Sequence, residues 1–116
     1  MGNEQSILEE AYRAFNVRDI DAALALMHPD VDWPNGWEGG RVHGRDAVRE
    51  YWTRQWDAID PRVEPTSFET DDAGRTVVHV HTVVRDHAGK VIADQTIRHI
   101  YRFEDGLIRD MEISPE

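Results

Sequence analysis

The chain has 116 residues, the length of one domain (1–116) rather than two, with 40% hydrophobic and 31% charged residues in an ordinary soluble balance. It has no cysteine, which excludes a disulfide framework, a thiolate nucleophile and a cysteine zinc site. Its net charge of −10 repels polyanions at long range and argues against a nucleic-acid partner. No apolar stretch reaches membrane-spanning length, and the N-terminus lacks the basic-then-apolar order of a signal peptide, so the reading is a cytoplasmic protein with no membrane partner. Met1 to Ser6 matches the bare N-myristoylation pattern without the basic patch that supplies a second anchor. Asn3 or Ser6 reads instead as a helix cap.

The first half of the chain has helical periodicity. Ile7, Leu8, Ala11, Tyr12, Ala14 and Phe15 recur at three- and four-residue spacing, which predicts a helix over about Glu4 to Val17. A second helix follows, with Asp19 as its N-cap, Ile20, Ala23, Leu24 and Met27 inward, and Pro29 as its stop. Val31 to Trp33 reads as a short extended piece, Pro34-Asn35-Gly36 as a turn, and Gly39-Gly40 as a flexible link. A third helix over about Arg45 to Ile59 carries Val48, Tyr51, Trp52, Trp56 and Ile59, and Asp60-Pro61 ends it.

The period then becomes two. Arg62 to Thr70 reads as an edge strand because of Pro65. Thr76 to Arg85, Val91 to Phe103 and Leu107 to Ile113 follow as strands, separated by the turns Asp71-Asp72-Ala73-Gly74, Asp86-His87-Ala88-Gly89 and Glu104-Asp105-Gly106. Helices first and an antiparallel meander afterwards give an α+β fold.

This order resembles the nuclear transport factor 2-like superfamily, in particular its SnoaL-like branch. The likeness is carried by Asn16 to Leu24, Met27 to Trp33, Val42 to Val48 and Tyr101 to Ile108, and it covers nearly the whole chain. It implies a cystatin-like cone in which three N-terminal helices pack on a curved, mainly antiparallel sheet. It also implies a pocket for a small apolar molecule and homodimerisation. The superfamily includes ketosteroid isomerases, polyketide cyclases, epoxide hydrolases, dehydratases and non-catalytic adaptors, so the fold alone does not name a function. The positions that carry the isomerase base, acid and tyrosine correspond here to Trp33, His99 and Ala11, with Tyr12 one residue beyond Ala11. All three depart from that pattern.

Histidine is then the candidate chemistry. Pairing Asp86 with Lys90 across a three-residue loop sets His81 opposite Gln95, His79 opposite Ile97 and Val77 opposite His99. That register places His79, His81, Gln95, Ile97, His99, Tyr101 and Phe103 on the inward face, and Val78, Val80, Thr82, Asp94, Thr96, Arg98 and Arg102 outward. His99 and His81 are then acid–base candidates, because a neutral imidazole near pH 7 can give or take a proton. Gln95, Tyr101 and His79 are ligand-binding candidates. Trp33 and Trp37 beside the turn, Trp52 on the third helix and Tyr12 on the first complete the lining set. The same histidines also fit satisfied side chains on a wet sheet face. A three-histidine metal site from His79, His81 and His99 is the sharper alternative, but no carboxylate spacing supports it.

Two functions follow. The first is a cofactor-free, metal-free acid–base catalyst (isomerase, cyclase or dehydratase) acting on an apolar carbonyl compound. The second is a non-catalytic ligand-binding or dimerisation module of the same fold.

Overall fold

The computed structural model describes residues 2–36 and 38–115, with side chains from Glu4 onward. The apolar stripe of Leu8, Ala11, Tyr12 and Phe15 forms α1 over Gly2–Asn16. Ser6 lies inside this helix and does not cap it; the side chain of Asn3 lies outside the described residues. The helix closes with Arg18 N–H on the Phe15 carbonyl (3.1 Å) and Asp19 N–H on the Ala14 carbonyl (2.8 Å). This double closure needs a left-handed residue, normally glycine, and Arg18 supplies it at φ 64°. Its guanidinium compensates by lying over the rings of Phe15 (5.5 Å) and Trp56 (5.1 Å). It also donates to the carbonyls of Phe15 and Pro61 and to Asp60.

Asp19 caps α2, Ile20–Leu24, by accepting from Ala22 N–H at 3.2 Å. The helix is shorter than its pattern predicts. From Met27 the chain is already strand β1, Met27–Pro34, so Met27 is buried from a strand and Pro29 stops no helix. The cause is tertiary. Ile108 N–H donates to the Leu26 carbonyl (3.0 Å) and Met27 sits opposite Ile108, so sheet pairing overrides helix propensity.

Gly39 and Gly40, at φ 95° and 79°, do more than loosen the chain. They turn it into a short strand, β2 (Arg41–His43), antiparallel to β1. Helix α3, Arg45–Ala58, buries Val48, Tyr51 and Trp52. The strands β3 (Asp60–Thr70), β4 (Thr76–Arg85), β5 (Val91–Glu104) and β6 (Leu107–Pro115) complete a six-stranded sheet of order β2-β1-β6-β5-β4-β3. Among the described strands, only the β1–β6 pair runs parallel; β3 lies at the edge, as Pro65 indicates. The helices cover one sheet face, and Leu8, Met27, Val31, Val48, Val78, Val80, Ile108 and Met111 close the core between the layers. No helix among the described residues is long and apolar enough to cross a membrane.

The register of β4 against β5 corrects the sequence reading. Asp86 N–H does donate to the Lys90 carbonyl at 2.9 Å, as the turn predicts. One pair later the ladder slips. Arg85 faces Val91 but Val84 faces Ala93, leaving Ile92 as a bulge. Because side chains alternate, this single extra residue inverts β4 relative to β5. Thr82 now pairs with Gln95, Val80 with Ile97 and Val78 with His99. Val78 and Val80 are fully buried and belong to the inner face, with Thr82 between them and the rim. His79 and His81 move to the outer face beside Arg98 and Thr96.

Candidate functional site

The inner face of the sheet is arranged in rows, each formed by residues paired across strands. Moving inward along β5, the rows are Pro61–Val84–Ala93, then Val63–Thr82–Gln95, then Val80–Ile97, then Val78–His99–Ile113, then Thr76–Tyr101–Met111. Opposite them stand Ala11, Tyr12 and Phe15 from α1, Tyr51, Trp52 and Gln55 from α3, and Trp33 from β1. Between these layers lies a cavity of about 460 Å³, the size of an ordinary small-molecule site, with Thr76, Val78 and Val80 buried behind its lining. None of the described lining side chains is charged.

The buried end of the cavity holds one polar chain. Tyr101 Oη donates to Tyr12 Oη (2.8 Å), and Tyr12 Oη lies 2.8 Å from His99 Nδ1. The two residues are 87 positions apart in sequence, and the α1-on-sheet packing joins them. Since the Tyr12 oxygen accepts from Tyr101, its proton is directed at Nδ1, and the neutral ring keeps its own proton on Nε2. Burial strips water from the imidazole and lowers its pKa from 6.5 to about 4, so it is neutral at physiological pH. Burial likewise raises the Tyr12 and Tyr101 phenols above their usual range, and the partner hydroxyl adds to the rise at Tyr12. Nε2 makes no protein hydrogen bond among the described residues, and His99 lines the cavity. Reversing both hydroxyls and the tautomer turns the same edge into an acceptor, so this nitrogen can meet a ligand oxygen in either sense.

The aromatic walls are mutually braced. Trp33 meets Trp52 edge-on at 5.7 Å and Tyr101 at 6.3 Å, while Phe15 wedges against Trp52 at 5.2 Å. Asp32, beside Trp33 on the strand, faces the other way and pairs with Arg41 at 2.7 Å. The cavity therefore holds no carboxylate base from β1.

Of the candidates read from the sequence, the structure brings together His99, Tyr101, Tyr12, Gln95, Trp33 and Trp52. It separates His81 and His79. The Ile92 bulge turns both to the outer face, where His81 Nε2 pairs with Asp94 (2.7 Å) and His79 Nε2 with Glu69 (2.6 Å). With His99 inward and the other two outward, the three-histidine metal set does not converge. Trp37 lies outside the described residues. Thr82, Gln55, Met27, Met111 and Tyr51 also line the cavity and are not among the lining candidates read from the sequence. Tyr51 and Gln55 were detectable, since they sit at i and i+4 on α3 beside Trp52. Thr82 was not, because its face depends on the bulge.

A SnoaL-like domain model matches residues 8–111. No curated protein matches the chain. Among solved structures, an NTF2-like protein of unknown function from Burkholderia pseudomallei is 29% identical with a TM-score of 0.85, covering 100% of this chain and 92% of that one. TerC, co-crystallised with polyporic acid, is 27% identical with a TM-score of 0.83, again over 100% and 92%. A Mycobacterium tuberculosis protein in complex with estradiol-17β-hemisuccinate is 18% identical with a TM-score of 0.81 over 96% and 92%, a likeness of fold.

Proposed function

This chain belongs to the SnoaL-like domain family, and we propose that its cavity binds a neutral, largely apolar carbonyl compound and promotes a cofactor-free reaction through its enol. The Tyr101–Tyr12–His99 chain at the buried end of an uncharged cavity carries this reading. A carbonyl oxygen seated on His99 Nε2–H gains a preorganised donor at the atom where negative charge develops on enolisation. With Tyr101 donating to Tyr12 and Tyr12 to Nδ1, the chain supports the imidazole in that tautomer. A neutral imidazole suits this task, since it polarises the oxygen without storing a charge in a dry site. A water molecule reaching the α-carbon takes the carbon-bound proton as the C–H bond breaks, the electron pair moves to the carbonyl oxygen held by His99 Nε2–H, and return of that proton to the oxygen gives the enol. The small-molecule complexes of TerC and of the mycobacterial fold relative support a small organic ligand.

A second reading, binding without turnover, is favoured by one specific observation: no carboxylate faces the cavity among the described residues. Methyl naphthyl ketone separates the two. In deuterated water, NMR follows exchange of its methyl protons with and without protein. The catalytic reading expects acceleration that falls by roughly 100-fold in His99→Ala, a size ordinary for a positioned proton-transfer group. Saturable quenching of tryptophan fluorescence with no acceleration of exchange gives the site to the binder.

A further inference from the structure

The inner face of β5 alternates in polarity as well as direction. His99 and Tyr101 are polar, Ile97 is apolar, and Gln95 is polar again, with Thr82 directly across from it on β4. Gln95 and His99 are four strand residues apart, a separation of roughly 13 Å along an extended chain. Between them only Ile97 of this row lines the cavity, backed by the fully buried Val80, and it offers a ligand apolar surface alone.

Thr82 has a further peculiarity. Its Oγ1 is buried and has no hydrogen-bond partner among the described residues, although the residue lines the cavity. An orphaned buried hydroxyl costs stability, and a valine of the same shape would avoid the cost. Rotation about χ1 exchanges methyl and hydroxyl at the cavity surface, so the missing partner can be a ligand atom. Gln95 opposite is exposed at the mouth, and its amide offers both a donor and an acceptor.

We propose that Thr82 and Gln95 form a second recognition point in this cavity, so that the ligand is a rigid neutral compound with a hydrogen-bonding group at each end and apolar surface between. This rests on the reading of the cavity as a small-molecule site and adds a length and a second polar end to it. Inner and outer groups then fix the ligand's orientation, and Thr82 and Gln95 act as specificity determinants that take no part in the chemistry.

Estradiol, with a hydroxyl at each end of a rigid apolar frame, is the probe, together with two analogues that each lack one hydroxyl. Affinities come from quenching of Trp33 and Trp52 fluorescence. Wild type is expected to bind estradiol roughly 3- to 10-fold more tightly than either analogue, the worth of one neutral hydrogen bond. In Thr82→Val with Gln95→Leu, one of the two gaps closes and the other persists. The Thr82→Val chain without ligand melts no lower than wild type, a result that a purely structural threonine would not give. Equal affinity for all three compounds, or both gaps persisting in the double variant, overturns the second recognition point while leaving the cavity reading intact. Failure of all three to bind also overturns it, and the ketone exchange experiment then judges the cavity reading separately.

Discussion

His99 is 7% exposed, and an imidazolium there lacks water. The folded chain therefore holds the ring neutral down to about pH 4, whereas the unfolded chain protonates it from about 6.5. Between those values only the unfolded state takes up the proton. The His99 contribution to stability is thus full above pH 6.5 and is lost progressively as pH falls toward 4, amounting to about 3 kcal/mol across the window. Urea unfolding measured at intervals from pH 7.5 to 4 should show this slope in wild type and its absence in His99→Gln, since glutamine does not titrate. Parallel pH curves for the two proteins would contradict the assignment. Tyr12→Phe removes the donor to Nδ1 and the acceptor for Tyr101 together. A loss of about 1–3 kcal/mol is expected from the two groups left unpaired, read by the same unfolding assay at pH 7.

At the scale of elements, the β4–β5 hairpin shows what a sequence can and cannot reveal. The turn residues Asp86 to Gly89 declare the loop, and Gly89 adopts φ 92° as a turn glycine should. The bulge at Ile92 has no such marker: a branched apolar residue is a normal strand residue, and only its place at the cavity rim distinguishes it. Local chemistry therefore gave the strands and turns, while the face of every β4 residue was decided by packing. Burying Val78 and Val80 outweighs burying His79 and His81, since buried imidazoles need partners and buried valines do not. For the same reason His99, Tyr101 and Gln95 were legible as one face of β5, but the meeting of His99 with Tyr12 was not. It follows from how α1 crosses the sheet. The placement predicts that His79→Ala and His81→Ala each leave ligand affinity and proton exchange within about twofold of wild type, against the large loss at His99. A loss at either comparable with His99→Ala would mean the cavity is not the working site. Arg18 is the matching case in the helical layer. Arg18→Ala keeps the left-handed strain and loses the ring stacking and carbonyl bonds, so about 1–3 kcal/mol should go. Arg18→Gly relieves the strain and should lose about 1 kcal/mol less than alanine in thermal unfolding.

On the scale of the whole molecule, charge is sorted by place. The chain carries −10, yet no described residue lining the cavity is charged. Described acids in the turns and on the outer sheet face include several paired with arginine or histidine, as in Arg75–Asp71 and His81–Asp94. An anionic ligand therefore meets two separate obstacles. The acidic surface repels it at long range, an effect that salt screens within about 10 Å at 0.1 M. The cavity then asks its charge to shed water with no cation to receive it, an effect that salt does not touch. A neutral ligand of the same shape meets neither. Methyl naphthyl ketone and naphthoate differ little in shape and fully in charge. The ketone should bind at least about 100-fold more tightly at pH 7, equivalent to about 2.7 kcal/mol. Raising salt from 0.05 M to 0.5 M should recover only a small part of that gap, because desolvation is its larger component. If the gap closes with salt, surface repulsion alone sets the preference and the cavity tolerates an anion. If naphthoate binds as well as the ketone in low salt, an uncharged lining does not select a neutral ligand, and the substrate class proposed for this site is wrong.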